Sequence, residues 1–437
     1  MKTARYFLFL GCAGVMCSSA FAQQQANPNP QAQQQIAPQQ VQQLLQQQAA
    51  QKGGRNVLPV QRGPGAVPAN VPEDLPDFER DENGELDKGK PMIQIALLLD
   101  TSGSMSGLID QAKERLWGIV NEFLEAKRDG EDPIFQVALY EYGKSTLKPK
   151  DAWVRQIVPL TVDLDKVSEE LFALNTKGGE EYCGWVVGQS LRELGWSENE
   201  KDLRVIFVAG NEPFTQGPID ANAVCAEAVR KGIVVNTIHC GGHDQGVAGG
   251  WKAGADAGGG AYVSIDHNQV LAHIDAPQDK ELKALNDEIN GTYVAFGKFG
   301  EEGKNRQLAQ DSNALASNVT AFYGRASAKS GKYYSNASWD LVDWSKEEGN
   351  DIATLKEEDL PEELKKLDAE DRKKFVSDMA SKRSELQSRI KTLSSERAKY
   401  VAEERKKLVA AGGAKALDDA VIENLKAEAT KLGFTLK

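Results

Sequence analysis

Short, nearly continuous apolar runs alternate with amphipathic segments between residues 90 and 265. The runs predicted as strands are residues 93–99, 135–142, 154–160, 203–209, 233–239 and 261–265. The segments predicted as helices between them are residues 108–126, 167–174, 182–194, 221–230 and 251–257. Apolar strands separated by helices are typical of a mostly parallel sheet that is covered on both faces. The pattern predicts a doubly wound, Rossmann-like α/β domain over residues 89–275, and such domains bind ligands at the carboxyl ends of their strands.

After residue 276 the strand pattern fades, and charged helical sequence predicts an α-helical region over residues 276–437. The predicted helices include residues 281–289, 307–325 and 361–409. In the last of these, an apolar residue recurs every seven positions, at Met379, Leu386, Leu393 and Tyr400. Arg383 and Arg397 interrupt this seam. We therefore predict a helical hairpin packed within the chain, with an intermolecular coiled coil as the alternative.

Two sets of aromatic residues predict further features. Trp339 and Trp344 flank Asp340 and Asp343, and buried tryptophans commonly anchor contacts between segments. This motif is predicted to dock the helical region against the α/β domain. Phe214 lies in a polar loop punctuated by glycine and proline, and we expect it to be exposed or half-buried.

The N-terminal sequence predicts export. Residues 1–22 carry a charged, an apolar and a small-residue part in the order of a signal peptide, and the Gln- and Pro-rich residues 23–88 predict a disordered tether. We expect a periplasmic, secreted or surface-associated protein with no transmembrane segment after the leader. A net charge of −12 argues against nucleic-acid binding.

Three cysteines follow the tether: Cys183, Cys225 and Cys240. In an oxidising compartment they could form one disulfide with one thiol left over, or remain three buried thiols. His239, Cys240 and His243 lie close together, but their spacing matches no zinc motif. No activated nucleophile or acid and base pair is evident at a strand end, so we do not expect an enzyme.

The segment "IALLLDTSGSMSG" turns from a buried strand into one acid and several serines. Asp100, Ser102 and Ser104 alternate there, so that their oxygens point to one place above the sheet edge. Such a hard-oxygen set suits Mg²⁺ or Mn²⁺, and Ca²⁺ is an alternative. The competing interpretation is that Asp100 and Ser102 only cap the following helix.

The phrase "LLLDTSGSM" after a buried strand resembles the metal-ion-dependent adhesion site of the von Willebrand factor type A (vWA) family. The resemblance extends over about residues 91–265 and includes the order of strands and helices. It implies that a second loop supplies a threonine and a third loop an aspartate. It also implies that the open metal position takes an acidic side chain from a protein partner.

The second and third loops depart from the family pattern. Where the family has Gly-Gly-Thr, this chain has Gly-Gly-Glu, which makes Glu180 a candidate ligand and Glu181 its alternative. Both could instead be first-turn acids of the following helix. Gly210 holds the position of the usual aspartate, so that Asn211 or Glu212 would have to supply an oxygen.

These observations predict a protein-binding module with a modified divalent-cation site. The predicted ligands are Asp100, Ser102, Ser104, Glu180, Glu181, Asn211 and Glu212. The predicted partner is a protein that presents an acidic residue. Two alternatives stay open: a site that has lost its ion, and a metal-free scaffold of the cell envelope that acts through its helical region.

Overall fold

The computed structural model describes residues 89–265, 274–317, 319–410 and 418–436. All of them belong to one compact unit. The predicted leader (1–22) and tether (23–88) lie outside the described residues. Among the helices that are described, none has the length and apolar character that a membrane span requires.

A six-stranded sheet forms the centre of the α/β part. Its strands are β1 (Met92–Asp100), β3 (Ile134–Tyr142), β4 (Val154–Thr161), β5 (Leu203–Gly210), β6 (Val234–Cys240) and β7 (Gly259–Ile265), while β2 (Lys127–Arg128) lies outside this sheet. The strand order is β4-β3-β1-β5-β6-β7, and only the edge strand β4 runs antiparallel to its neighbour. The first strand therefore lies centrally and the chain winds outward in both directions. The predicted doubly wound, mostly parallel sheet is confirmed.

Helices cover both faces of this sheet. They are α1 (Ser106–Glu122), α2 (Leu164–Ala173), α3 (Cys183–Glu193), α4 (Ala221–Arg230), α5 (His243–Ala248) and α6 (Trp251–Ala257). All nine residues of β1 are buried, because side chains on both faces of a central parallel strand are covered. This explains why the strand appears in the sequence as a continuous apolar run.

The helical region follows the sheet, as predicted. Its helices are α7 (Asp279–Asn290), α8 (Gly300–Ser317), α9 (Val319–Lys329), α10 (Leu341–Trp344), α11 (Glu362–Lys365), α12 (Ala369–Ala410) and α13 (Asp418–Lys431). A last strand, β8 (Phe434–Thr435), pairs antiparallel with β2. The helix predicted over residues 307–325 corresponds to α8 and α9, which lie on either side of residue 318, a position outside the described residues.

The helix predicted over residues 361–409 is present for the most part as α12, one helix of 42 residues, and the hairpin stays a prediction. The helix does pack within the chain, since Leu386 and Ile390 belong to the main hydrophobic core. The interruptions of its seam are buried: Arg383 forms ion pairs with Asp340 and Asp343, and Arg397 forms one with Asp279. Buried partners of opposite charge, which lie far away in sequence, thus allow arginines on the buried face of the helix.

The aromatic motif at residues 339–344 joins segments of the helical region to each other. Trp339 is buried beside Tyr293, with ring centroids 5.9 Å apart, and it lies over Gly303. Its neighbours Asp340 and Asp343 form ion pairs with Arg383 of α12. The predicted docking of this motif against the α/β domain is therefore corrected: these contacts hold α12 to the segments around α7 and α8.

Candidate functional site

Three loops meet at the carboxyl ends of the central strands. The first loop (residues 100–105) follows β1, the second loop (residues 174–182) precedes α3, and the third loop (residues 210–220) follows β5. The backbone N–H of Lys177 donates to the carbonyl oxygen of Thr101 at 2.9 Å, which ties the second loop to the first. The predicted loops therefore lie together at the sheet edge where doubly wound folds bind ligands.

Asp100 is completely buried at the end of β1. Its Oδ1 accepts a hydrogen bond of 2.7 Å from the backbone N–H of Ser102. Its Oδ2 is buried and has no hydrogen-bond partner among the described residues. The capping interpretation of Asp100 and Ser102 is wrong, because α1 has Met105 at its N-cap position and no side chain caps it.

Glu181 approaches Asp100 across Gly143, the residue that follows β3. A Cβ atom placed on Gly143 would lie 2.7 Å from Cγ of Glu181 and 2.9 Å from Oδ1 of Asp100. Gly143 has a φ of 79°, a conformation that glycine adopts without a Cβ penalty. A glycine at this point therefore allows two buried carboxylates to share one location.

Burial and mutual repulsion keep these two carboxyl groups from ionising readily. Burial raises the pKa of Asp100 to about 6, against the opposing effect of its hydrogen bonds with Ser102. Burial also raises the pKa of Glu181 to about 7, and the negative charges of Asp100 and Glu212 raise it further. Neither carboxylate forms an ion pair with a cationic side chain within the described ranges. Such a pair gains free energy from a bound cation.

Glu180 and Ser104, two of the predicted ligands, are exposed at the rim of the site. The side-chain amide of Gln216 lies 3.4 Å from Oε2 of Glu180 and 3.4 Å from Oε2 of Glu181. Neither glutamate belongs to the first turn of α3, which begins at Cys183 and has no acidic residue there. The first-turn interpretation of the two glutamates is therefore wrong, and Glu181 is the one that the fold places beside Asp100.

The third loop has no room for the aspartate that the family pattern implies. A Cβ atom on Gly210 would lie 2.6 Å from the hydroxyl oxygen of Tyr142 and 3.1 Å from Oδ2 of Asp100. Tyr142 is held there because its hydroxyl donates to the carbonyl oxygen of Ala209 at 2.9 Å. Next to Gly210, the half-buried Asn211 has an Oδ1 atom that is buried and without a partner among the described residues.

Glu212 is exposed, and its backbone carbonyl accepts a hydrogen bond of 2.8 Å from the indole of Trp251. Phe214 is completely buried and packs on Trp251, with ring centroids 5.1 Å apart. The expectation that Phe214 is exposed or half-buried is thus wrong. The polar sequence around Phe214 predicts exposure, because the residue that covers it, Trp251, lies 37 positions further along the chain.

The three cysteines after the tether are free, buried thiols. Burial raises the pKa of Cys225 to about 12 and the pKa values of Cys183 and Cys240 still further above their usual range. A protonated, buried thiol is a poor nucleophile. His239 and Cys240 are buried and His243 is exposed, and within the described part of the chain these three residues do not form a group that could hold a metal ion.

Sequence reasoning missed Tyr142, Gly143 and Gln216. Tyr142 ends the strand β3 and Gly143 follows it, and their position at the same sheet edge as Asp100 was a usable signal. No sequence pattern indicated Gln216, because its contacts with Glu180 and Glu181 depend on how the third loop folds over the second.

Over the described ranges, no group of three or more His, Cys, Asp and Glu side chains is arranged to hold a metal ion. The site instead has two carboxylates, Asp100 and Glu181, together with the neutral oxygens of Ser102 and Asn211. Two of its oxygens, Oδ2 of Asp100 and Oδ1 of Asn211, are buried without a partner among the described residues. This oxygen set fits a hard divalent cation by chemistry, with fewer anionic ligands than a dedicated carboxylate cage.

Neither a family model nor a curated protein matches this chain. Among solved structures, the SpRpn10 VWA domain has 14% identity and a TM-score of 0.31, over 40% of this chain and 88% of that chain. The conserved hypothetical protein BatB from Bacteroides thetaiotaomicron has 17% identity and a TM-score of 0.31, over 46% of this chain and 98% of its own.

Proximal thread matrix protein 1 from the mussel byssus has 12% identity and a TM-score of 0.31, over 41% of this chain. The aligned part spans 42% of the mussel protein, which is less than half of its length. Similarity at this level carries no statement about function. The strand order, the single antiparallel edge strand and the meeting of the three loops carry the fold assignment: residues 92–265 have the von Willebrand factor type A fold.

Proposed function

We propose that this protein is a protein-binding module whose sheet edge holds a divalent cation between Asp100 and Glu181. Ser102 and Asn211 would add neutral oxygens, and Ser104 lies at the exposed side of the same loop. Mg²⁺ or Mn²⁺ suits this hard-oxygen set, and Ca²⁺ is the alternative. The proposed activity is binding and not catalysis.

One observation carries the proposal: two carboxylates are buried at one point without a cationic partner in the described ranges. A buried, unpaired negative charge is costly, and two such charges side by side repel each other. The raised pKa values of Asp100 and Glu181 express that cost. A divalent ion removes it, whereas a helix cap or a structural turn does not.

The proposed partner is a protein that presents an acidic residue to an open position on the cation. The rim of the site carries the exposed acids Glu180 and Glu212. Their negative charge repels an acidic partner while the cation is absent. Two anionic ligands also neutralise most of the charge of the ion, which weakens its attraction for a further carboxylate. We therefore expect moderate affinity with a strict dependence on the cation.

Thermal melting of the protein with and without Mg²⁺, Mn²⁺ or Ca²⁺ tests the cation site. An ion that binds only the folded state raises the melting temperature by mass action. We expect this gain in the unmodified chain, and we expect Asp100→Ala and Glu181→Gln to lose it. Glu180→Gln is the matched control and should keep it, because Glu180 is exposed and Glu181 is buried.

Capture of a binding protein with and without a chelator tests the proposal that the cation site binds a protein partner. The proposed export, which rests on the leader sequence, makes envelope and extracellular proteins the sample to use. Loss of the captured protein on chelation, and its absence with Asp100→Ala, is the expected result. If no divalent ion raises the melting temperature, the metal-free scaffold replaces this proposal, and the helical region becomes the place to seek the interaction.

A further inference from the structure

An apolar cavity of about 370 Å³ lies between the sheet and the helical region. Its floor is the sheet, with Leu97 and Phe207 among its residues, and α1 and α9 form its walls. Residues of α12 and α13, such as Val401 and Ile422, line the opposite side, which is partly open to solvent. The cavity shares no lining residue with the cation site, so it is a separate feature of the fold.

The size and lining of this space set it apart from an ordinary packing defect. Protein interiors are packed as densely as organic crystals and contain few voids larger than a water molecule. This space equals the liquid volume of about twelve water molecules, at about 30 Å³ each. Ile119, Ile238, Val401 and Ile422 are all half-buried and all line it. Partly open apolar clefts of this size are the usual binding sites of apolar ligands.

One face of α12 adds positive charge to this apolar lining. Ser394, Arg397, Val401 and Arg405 all line the cavity, and they recur at the three- and four-residue spacing of a single helix face. Arg397 is already engaged, because its Nε donates to Asp279 at 2.6 Å. Arg405 is half-buried, and it has no ion pair in the part of the chain that the structure describes.

The acidic residue in the lining does not neutralise Arg405. Glu122 lines the cavity from α1, but it forms an ion pair with Lys426 of α13. The uncompensated charge beside the cavity is therefore positive. A ligand that is apolar along its body and anionic at one end matches both the lining and this charge.

We propose that this cavity binds a single-chain anionic amphiphile, such as a long-chain carboxylate. Its hydrocarbon chain would lie between the sheet and α12, and its carboxylate would pair with Arg405. A chain of about twelve carbons is comparable in volume to the space of about twelve waters that the cavity offers. Among the described lining residues, no acid other than Glu122 is present to repel such a ligand.

Calorimetric titration of the full chain with dodecanoate, below the concentration at which it forms micelles, tests this proposal. EDTA in all titrations makes the outcome independent of the cation site. We expect one dodecanoate to bind per chain. Arg405→Ala should weaken dodecanoate binding about tenfold and leave dodecanol binding unchanged, because only the carboxylate needs the guanidinium. Lys406→Ala, an exposed cation one position further along α12, is the matched control and should bind dodecanoate normally.

A second variant fills the cavity. Ala398 is an exposed residue of α12 that lines it, so Ala398→Trp adds bulk there without removing a core side chain. This variant should keep the melting temperature of the unmodified chain and bind neither dodecanoate nor dodecanol. Three results would overturn the proposal: no binding to the unmodified chain, undiminished binding to Ala398→Trp, or equal losses with Arg405→Ala and Lys406→Ala.

Discussion

Arg325 of α9 donates a hydrogen bond of 2.5 Å to Asp165 of α2, and neither side chain is more than 2% exposed. This ion pair joins the helical region directly to the α/β domain. The same guanidinium donates to Asp311 of α8 at 2.6 Å and packs over the ring of Trp117. The two parts of the chain are therefore connected by buried charge as well as by a shared apolar core.

Asp165→Ala should destabilise the protein by about 3–5 kcal/mol, because it leaves a buried guanidinium with one fewer carboxylate. Lys166→Ala is the control at the next position. Its ion pairs with Glu169 and Glu170 are substantially exposed, and such pairs contribute about 0–1 kcal/mol. Urea unfolding followed by circular dichroism measures both. Equal losses from the two variants would show that the Asp165–Arg325 pair does not hold the domains together.

Arg383→Met tests whether the buried arginine in the seam of α12 holds this helix in place. Arg383 is buried with Asp340 and Asp343 and lies 3.9 Å from the ring centroid of Tyr293. Its removal leaves the buried Asp340 without a cation and Asp343 with only the exposed Lys346, so we expect a loss of about 3–5 kcal/mol in the free energy of unfolding. Arg389→Met removes an exposed pair with Glu281 from the same helix and should cost less than about 1 kcal/mol. A stabilised Arg383→Met protein would contradict this account.

Gly143→Ala should disrupt the meeting of Asp100 and Glu181. The added methyl group would overlap Cγ of Glu181 and crowd Oδ1 of Asp100. Gly130→Ala is a matched control, because Gly130 has a similar φ of 86° and no atom within 4 Å of an added Cβ. Both variants should lose about 1 kcal/mol or more from backbone strain. Only Gly143→Ala should also lose the rise in melting temperature that a divalent cation produces, and a full cation response in that variant would argue against the site.

The pH dependence of stability reports on the two carboxyl groups. Because their pKa values are raised in the folded state, the folded protein holds more protons than the unfolded chain between about pH 4 and about pH 7. Without a cation, their contribution to stability is therefore present at low pH and is lost as the pH rises through about 6 and 7. Asp100→Asn should reduce this loss by an amount on the order of 2 kcal/mol between about pH 5 and about pH 8.

Urea unfolding in EDTA at the two ends of this pH range makes the measurement. Asp110→Asn, which removes an exposed acid of α1, should leave the pH dependence as it is in the unmodified chain. The same loss in Asp100→Asn as in the unmodified chain would show that Asp100 does not carry the effect. A saturating divalent cation should remove the loss at high pH, since it stabilises the ionised pair.

The sequence by itself determined the α/β architecture and the location of the first loop. Both depend on local patterns: a parallel strand buried on both faces is a continuous apolar run, and Asp100 and Ser102 follow directly from such a run. The central position of β1 follows from the doubly wound order, so the sheet edge that gathers the loops was also predictable.

Only the tertiary structure shows that Glu181, and not Glu180, lies beside Asp100, that Phe214 is buried against Trp251, and that α12 packs on the core through the face that carries Arg383. In each case the deciding partner is distant in sequence: Gly143 admits Glu181, Trp251 covers Phe214, and Asp340 and Asp343 neutralise Arg383. Hydrophobic periodicity describes what one segment prefers, whereas the burial of a charge depends on the charge that meets it in the folded chain.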